Sequence, residues 1–259
     1  MDADLSCLIV GCGYVGSRLA RRESARRPLL ALVRSDGNAT DLQSAGVPAL
    51  RIDLDAAPDA ALQPALAAAA GQAAVVYLAP PPDSGTTDPR LVTFLAQIEH
   101  VTPAVFVYIS KTGVYGDAGG ALVDEFTPVA PSNDRSRRRV AAESATQAWC
   151  AARGVRCVIL RVPGIYGPDR LPLERLRRRE PALREEDAGP GNRIHVDDLV
   201  TAIVAAIDRL SAHGVFNVTD GDYASTTKYL QLTAAVAGIE PHALISRAEA
   251  REKIPAGIL

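Results

Sequence analysis

Leu5-Ser-Cys-Leu-Ile-Val10 runs directly into Gly11-Cys-Gly-Tyr-Val-Gly16 and then Ser17-Arg-Leu-Ala20: an apolar strand, a G-x-G-x-x-G turn and the start of a helix. Each glycine has a mechanical task in such a turn. Gly11 makes it tight, Gly13 lets a pyrophosphate approach the backbone beside Tyr14 and Val15, and Gly16 lets the helix lie close to the strand. The free amides and positive end of the helix then face an anion. A glycine-rich turn alone says little, but here a second apolar strand, Leu29-Leu-Ala-Leu-Val33, follows on schedule.

Outward from that turn, apolar runs and helical periods alternate: strand 5–10, helix 13–26, strand 29–33, strand 48–52, helix 59–70, strand 74–79, helix 88–101, strand 104–110, helix 134–152 and strand 155–161. This is the rhythm of an α/β, doubly wound parallel sheet, a Rossmann fold. Asp88 before Pro89 reads as a helix N-cap and Gly154 as a helix stop. Beyond residue 162 the pattern loosens, with helices near 197–210 and 226–237. The division is therefore 1–162 as the dinucleotide-binding domain and 163–259 as a small substrate-side lobe partly interleaved with it.

The 259 residues are 47% hydrophobic, ample for a core, and carry a net charge of −2. No basic field for nucleic acid exists: arginines gather at 135–139 and 175–179, but Glu174, Glu180, Glu185 and Glu186 interrupt them and no aromatics interleave. No stretch is long enough to span a membrane, and Met1-Asp-Ala-Asp lacks the basic flank of a signal peptide. Cys7, Cys12, Cys150 and Cys157 have no metal-ligand spacing and read as thiols of a reducing cytoplasm.

The residue after the second strand selects the cofactor, because an acid there accepts ribose hydroxyls whereas a cation accommodates a 2′-phosphate. Arg34-Ser35 stands there, with Asp36 displaced, so NADP is expected over NAD; Arg18 is a second candidate phosphate contact. Asp53, followed by Leu54, is placed to accept from an adenine amine or to form a turn. Ala79 and Pro80, after the fourth strand, are small and rigid enough to pass beneath a dinucleotide.

Three further motifs follow in order: Ser110-Lys-Thr-Gly-Val-Tyr-Gly116, Arg161-Val-Pro-Gly-Ile-Tyr-Gly-Pro168 and Asn192-Arg-Ile-His-Val-Asp-Asp198. With the glycine turn they resemble the extended short-chain dehydrogenase/reductases, and within them the atypical, NAD(P)-dependent or sugar-nucleotide epimerase-like branch. The resemblance covers nearly the whole chain. It implies a Rossmann domain with a C-terminal lobe, Pro163 and Gly164 near the nicotinamide, and a catalytic Ser/Thr with Y-x-x-x-K. It also implies dimers through the helices at 88–101 and 134–152, and a chain that continues past Ala256-Gly-Ile-Leu259.

The departures from that pattern bear on the chemistry. The Ser/Thr position falls on Lys111, flanked by Ser110 and Thr112; the Y-x-x-x-K positions fall on Arg135 and Arg139; no tyrosine lies between Tyr115 and Tyr166. A guanidinium cannot exchange a proton near neutrality, though it holds carboxylates and phosphates. Three converging cations should also lower the pKa of Lys111. The expectation is that Lys111 or Thr112, with Tyr115, handles the proton of an oxidoreductase or epimerase-like reaction, while Arg135 and Arg139 bind an anionic small molecule. Tyr166, Arg193 and His195 are expected on the substrate side, with Asp197 or Asp198 capping the next helix. The alternative is an NADP(H)-binding sensor or scaffold without turnover.

Overall fold

The apolar run before the glycine turn forms β1 (Cys7–Val10), every residue of it buried, and the turn launches α1 (Tyr14–Glu23). In the computed structural model, which describes residues 5–56, 63–240 and 242–253, the chain continues through β2 (Leu29–Val33), α2 (Asp36–Ser44), β3 (Ala49–Arg51), α3 (Gln63–Ala70), β4 (Ala74–Tyr77), α4 (Pro89–Gln97) and β5 (Val105–Lys111). A 3-10 turn (Thr112–Tyr115), α5 (Asp134–Ala151), β6 (Arg156–Val162), β7 (Gly164–Tyr166), α6 (Leu173–Arg177), β8 (Ala182–Leu183), β9 (Arg193–His195) and α7 (Val196–Asp208) follow. The last elements are β10 (Gly214–Asn217), α8 (Thr226–Ala237), β11 (Leu244–Ile245) and α9 (Arg247–Lys253).

Seven strands build one parallel sheet in the order β10-β6-β5-β4-β1-β2-β3, reversing direction of growth at β1 as a doubly wound fold does. The fold class read from the sequence is the observed one. Because helices cover such a sheet, its central strands are buried along their whole length, as β4 is. Tyr77, Phe94, Phe106, Tyr108 and Trp149 form an aromatic seam where α4 and α5 meet the sheet, with Tyr77–Phe94 and Phe106–Trp149 centroids 5.5 and 5.9 Å apart.

Residues up to 118, 122–162 and 197–218 form one unit; residues 119–121, 163–196 and those from 219 onward form another. The second unit has its own small core of Leu176, Ala182, Leu230 and Ala234, and two short parallel pairs, β7 with β9 and β8 with β11. α7 and β10 count with the first unit. There Arg156 of β6 donates to the carbonyls of Ala206, Ile207, Arg209 and Ala212, closing the C-terminal end of α7 with a cation.

Asp88 caps α4 by accepting from Leu91 N at 3.1 Å, with Pro89 at the first helical position. Gly154, at φ +63°, sits where the chain turns out of α5. The sequence reading misses the short elements of the second unit, β7, α6, β8, β9, β11 and α9, and a helix and a strand of the first. α2 fills the interval between β2 and β3, and β10 adds an edge strand to β6. The part of the expected 59–70 helix before residue 63, and the C-terminal Ala256–Leu259, lie outside the described residues.

Candidate functional site

The three glycines of the first turn differ in what a side chain would meet. Gly11 has φ +95°, and a Cβ there would come within 2.6 Å of Ala79 N, so the turn and the loop after β4 touch backbone to backbone. A Cβ on Gly16 would lie 2.5 Å from Gly11 O, the close approach of helix to strand. A Cβ on Gly13 would meet nothing within 4 Å. Its bareness serves no packing inside the chain and leaves space at the N-terminus of α1, which has no side-chain cap and no acidic residue in its first turn. Those are the properties a pyrophosphate site needs, and a dinucleotide fits them. Val15 is buried, Ala79 lies against Gly11 from the loop after β4, and Pro80 beside it is exposed.

At the end of β2, the Arg34 guanidinium is exposed and makes no side-chain hydrogen bond or ion pair among the described residues. Its carbonyl accepts from Nε of Arg51, the terminal residue of β3, so a second guanidinium stands on the neighbouring strand 3.7 Å from Asp36 Oδ1. Other expected contacts are placed differently. Ser35 is the N-cap of α2, accepting from Asn38 N. Arg18 folds back on Tyr14, donating to its carbonyl at 3.0 Å with its guanidinium 4.0 Å from the ring centroid. Asp53 Oδ1 accepts from Asp55 N at 3.0 Å, the turn-forming alternative, and Leu54 packs against the core.

Lys111 ends β5 half-buried, and Thr112 opens the 3-10 turn that follows. Burial first, then the positive fields of Arg135 and Arg139, push the Lys111 amine below the usual lysine range. The direction is the one like charge demands, yet desolvation is the larger cause. Four arginines on the first turns of α5 have four different fates. Arg135 is exposed with no partner among the described residues, and Arg137 pairs with Asp134 at 2.7 Å. Arg138 is buried and donates to Gly85 O at 2.6 Å. Arg139 is held inward, donating to Tyr108 Oη at 2.9 Å and Ile109 O at 3.0 Å. Its guanidinium ties α5 to β5, and of the two arginines Arg135 is the one with no partner among the described residues.

Tyr115 closes the same 3-10 turn, and its hydroxyl is engaged within the chain. Its hydroxyl accepts from Arg161 Nη1 at 2.9 Å and donates to Asn217 Oδ1 at 2.9 Å, which occupies it in a network the sequence reading missed. Arg161 of β6 grips Glu143 of α5 through two bonds of 3.2 and 2.8 Å, and Ser110 Oγ donates to the same carboxylate. All three residues are buried. A charged residue in the apolar run Val158-Ile-Leu-Arg161-Val was the available signal, since a buried cation requires a partner.

The second unit gathers its own residues. β7 pairs with β9 so that Tyr166 stands opposite His195, their rings 5.3 Å apart edge-on, and Tyr229 of α8 lies 5.9 Å from Tyr166. Arg193 is spent within this unit, donating to Ala224 O at 2.7 Å with its guanidinium 4.4 Å from the Tyr229 ring centroid. In the first unit, Asp197 and Asp198 both fall in the first turn of α7, where negative charge suits the helix dipole.

Solved structures with this architecture include a conserved protein of unknown function from Silicibacter pomeroyi, 26% identical with a TM-score of 0.78 over 95% of this chain and 83% of that one. UDP-glucuronic acid 4-epimerase from Bacillus cereus, in complex with UDP-glucuronic acid and NAD, has TM-score 0.73 and 18% identity over 93% and 86%. UDP-glucose 4-epimerase from Thermus thermophilus, in complex with NAD, has TM-score 0.71 and 21% identity over 92% and 85%. The last two share the fold. No curated protein matches the chain. Residues 7–219 match the model of the NAD dependent epimerase/dehydratase family, spanning the glycine turn, β5 and the Lys111 segment, and α5 with its arginines: the chain belongs to that family, within the extended short-chain dehydrogenase/reductases.

Proposed function

We propose that the chain binds NADP(H) and acts as an oxidoreductase or epimerase-like enzyme on an anionic small molecule. The cofactor half rests on the open space at Gly13 and on the unpaired, exposed guanidinium of Arg34 beside Arg51. The backbone of Gly11–Gly16 would hold the pyrophosphate, Arg34 the 2′-phosphate, and Ala79 and Pro80 would border the dinucleotide. A nicotinamide supplies or accepts hydride; the chain must supply the proton and the anchor for the substrate. Family structures carry NAD, and it is the cation after β2 that supports NADP here.

The single observation that carries the catalytic half is the Lys111 amine, half-buried at the end of β5 and shifted toward its neutral form. A neutral amine accepts a proton from a substrate hydroxyl and returns it as ammonium. Thr112 is adjacent, and Arg135 offers a guanidinium to a carboxylate or phosphate. The test is binding of NADPH and NADH by fluorescence, followed by nicotinamide absorbance with carbonyl compounds and sugar nucleotides, UDP-glucuronic acid first because it is anionic. Tighter NADH binding refutes the Arg34 assignment. A Lys111→Ala variant that turns over an identified substrate at the parental rate refutes the proton role.

The commitments of Tyr115 and Arg139 favour a second reading, an NADP(H)-binding sensor or scaffold, for which NADPH binds and no substrate oxidises it. In either case a homodimer through α4 and α5 is supported by exposed Val92 beside a groove of about 270 Å³ lined by Leu95, Ala145 and Trp149. Sedimentation of Val92→Glu as a monomer, against a dimeric parent, tests it. Among the described residues no helix is long and apolar enough to cross a membrane.

A further inference from the structure

Ser136 lies in the first turns of α5, fully buried, and its Oγ has no hydrogen-bond partner among the described residues. Its backbone N–H is already taken by the capping carboxamide of Asn133 at 2.9 Å, so the helix start does not account for the hydroxyl. Buried polar groups are nearly always paired, and an unpaired one asks for a reason.

Facing it, the Lys111 side chain folds over Gly113. A Cβ at residue 113 would overlap Lys111 Cε, lie 2.8 Å from Nζ and 3.4 Å from Ser136 Oγ. Amine and hydroxyl thus converge on one small space that exists because residue 113 is glycine. The described residues give Nζ no hydrogen bond or ion pair, so amine and hydroxyl face the same space without being bonded to each other in this structure.

We propose that Ser136 is the positioning residue of Lys111: a small rotation of the flexible lysine side chain brings the amine within reach of the unpaired hydroxyl, which then accepts from it and fixes it over Gly113. The inference rests on the reading of Lys111 as the group that handles the proton. The charged groups acting on the amine are Arg135 and Arg139 of α5, and both oppose the ammonium form. Glu143 of the same helix is engaged by Arg161 and Ser110, and Tyr115 of the 3-10 turn by Arg161 and Asn217. A hydroxyl acceptor works against the arginines by favouring the ammonium. It keeps the amine from losing its proton too readily and aims it at one place.

The test is competitive acetylation with trace acetic anhydride from pH 6 to 11, read by mass spectrometry at Lys111 with Lys228 as internal reference. In Ser136→Ala the Lys111 titration midpoint should fall by about half a pH unit or more, because an acceptor for the charged form is gone. An unchanged midpoint overturns the pairing while leaving the proton role standing, since that role is tested by turnover of Lys111→Ala. A merely structural Ser136 would move the melting temperature and leave the Lys111 titration where it was. Gly113→Ala, with Ser136 intact, gives an independent reading. Its methyl should expel the amine and bring Lys111 reactivity to that of Lys228; parental reactivity in this variant also overturns the proposal.

Discussion

Tyr115→Phe separates two roles for one hydroxyl. If Tyr115 handles a substrate proton, the variant loses turnover and keeps its stability. In the structure the hydroxyl instead joins Arg161 Nη1 and Asn217 Oδ1, each at 2.9 Å, and is nearly buried. Removing it leaves a buried guanidinium N–H and a carboxamide oxygen without their partner. A hydrogen bond to a charged group contributes about 1.5–3 kcal/mol. Arg161 keeps its two bonds to Glu143, so the loss should fall near the middle of that range, about 2 kcal/mol. For a unit of this size that is roughly 4–8 °C in melting temperature. Glu143→Ala should cost more, about 3–5 kcal/mol, because it strands the buried charge of Arg161. Differential scanning fluorimetry of the two variants, with NADPH titration at a temperature where both are folded, checks the order. A Tyr115→Phe protein that melts with the parent refutes the structural assignment.

Arg34→Ala should weaken NADPH binding by about 10- to 100-fold, the value of one charge-assisted phosphate contact, and leave NADH binding within about twofold; equal losses for both nucleotides would remove Arg34 from 2′-phosphate recognition. Gly11→Ala and Gly13→Ala should part company. The first forces a methyl against Ala79 at positive φ and lowers thermal stability, while the second folds normally and loses dinucleotide affinity, as fluorescence titration would show. His242 is buried with neither ring nitrogen paired among the described residues, and burial with the nearby Arg175 charge holds its pKa below the ordinary value of about 6.5. Above that pH the ring is neutral in both states and contributes no pH dependence. As pH falls below it, the unfolded chain takes up the proton first and stability drops. Urea denaturation at pH 7.5 and 5.5 should show part of this loss abolished in His242→Phe; an identical pH slope in the variant would discard it.

The first βαβ unit was legible because its signals are local: a buried apolar run, three glycines with distinct steric duties, and a second run at the right interval. α2 was not, because Asp36–Ser44 is polar and buries only Leu42, leaving no apolar face to read. The same helix gives Ser35 a capping role that the sequence reading did not foresee. β10 escaped because only Val215 and Phe216 of Gly214–Asn217 are apolar and neither is fully buried. Lys111 and Arg135 could be placed together by counting along motifs. The Ser110–Glu143–Arg161–Tyr115 network could not, since it is assembled by the registration of β5 with β6 and the rotation of α5, which set Ser110 opposite Arg161.

The choice of cation sharpens the case for Lys111. Of 28 lysines and arginines only Lys111, Lys228 and Lys253 are lysines. Where this fold needs a fixed positive charge it uses arginine: Arg27 in the buried pair with Glu23, Arg156 on the carbonyls ending α7, Arg161 on Glu143, Arg139 on β5. Arginine suits those tasks because its planar fork satisfies several acceptors and it stays charged at any working pH. The same permanence disqualifies it from exchanging a proton. At the end of β5, beside Ser136 and over Gly113, the chain departs from its own habit and places an amine that burial and two guanidiniums move toward neutrality. An arginine there would serve as well for charge alone, so Lys111→Arg is the substitution that should keep anion binding while abolishing any proton transfer.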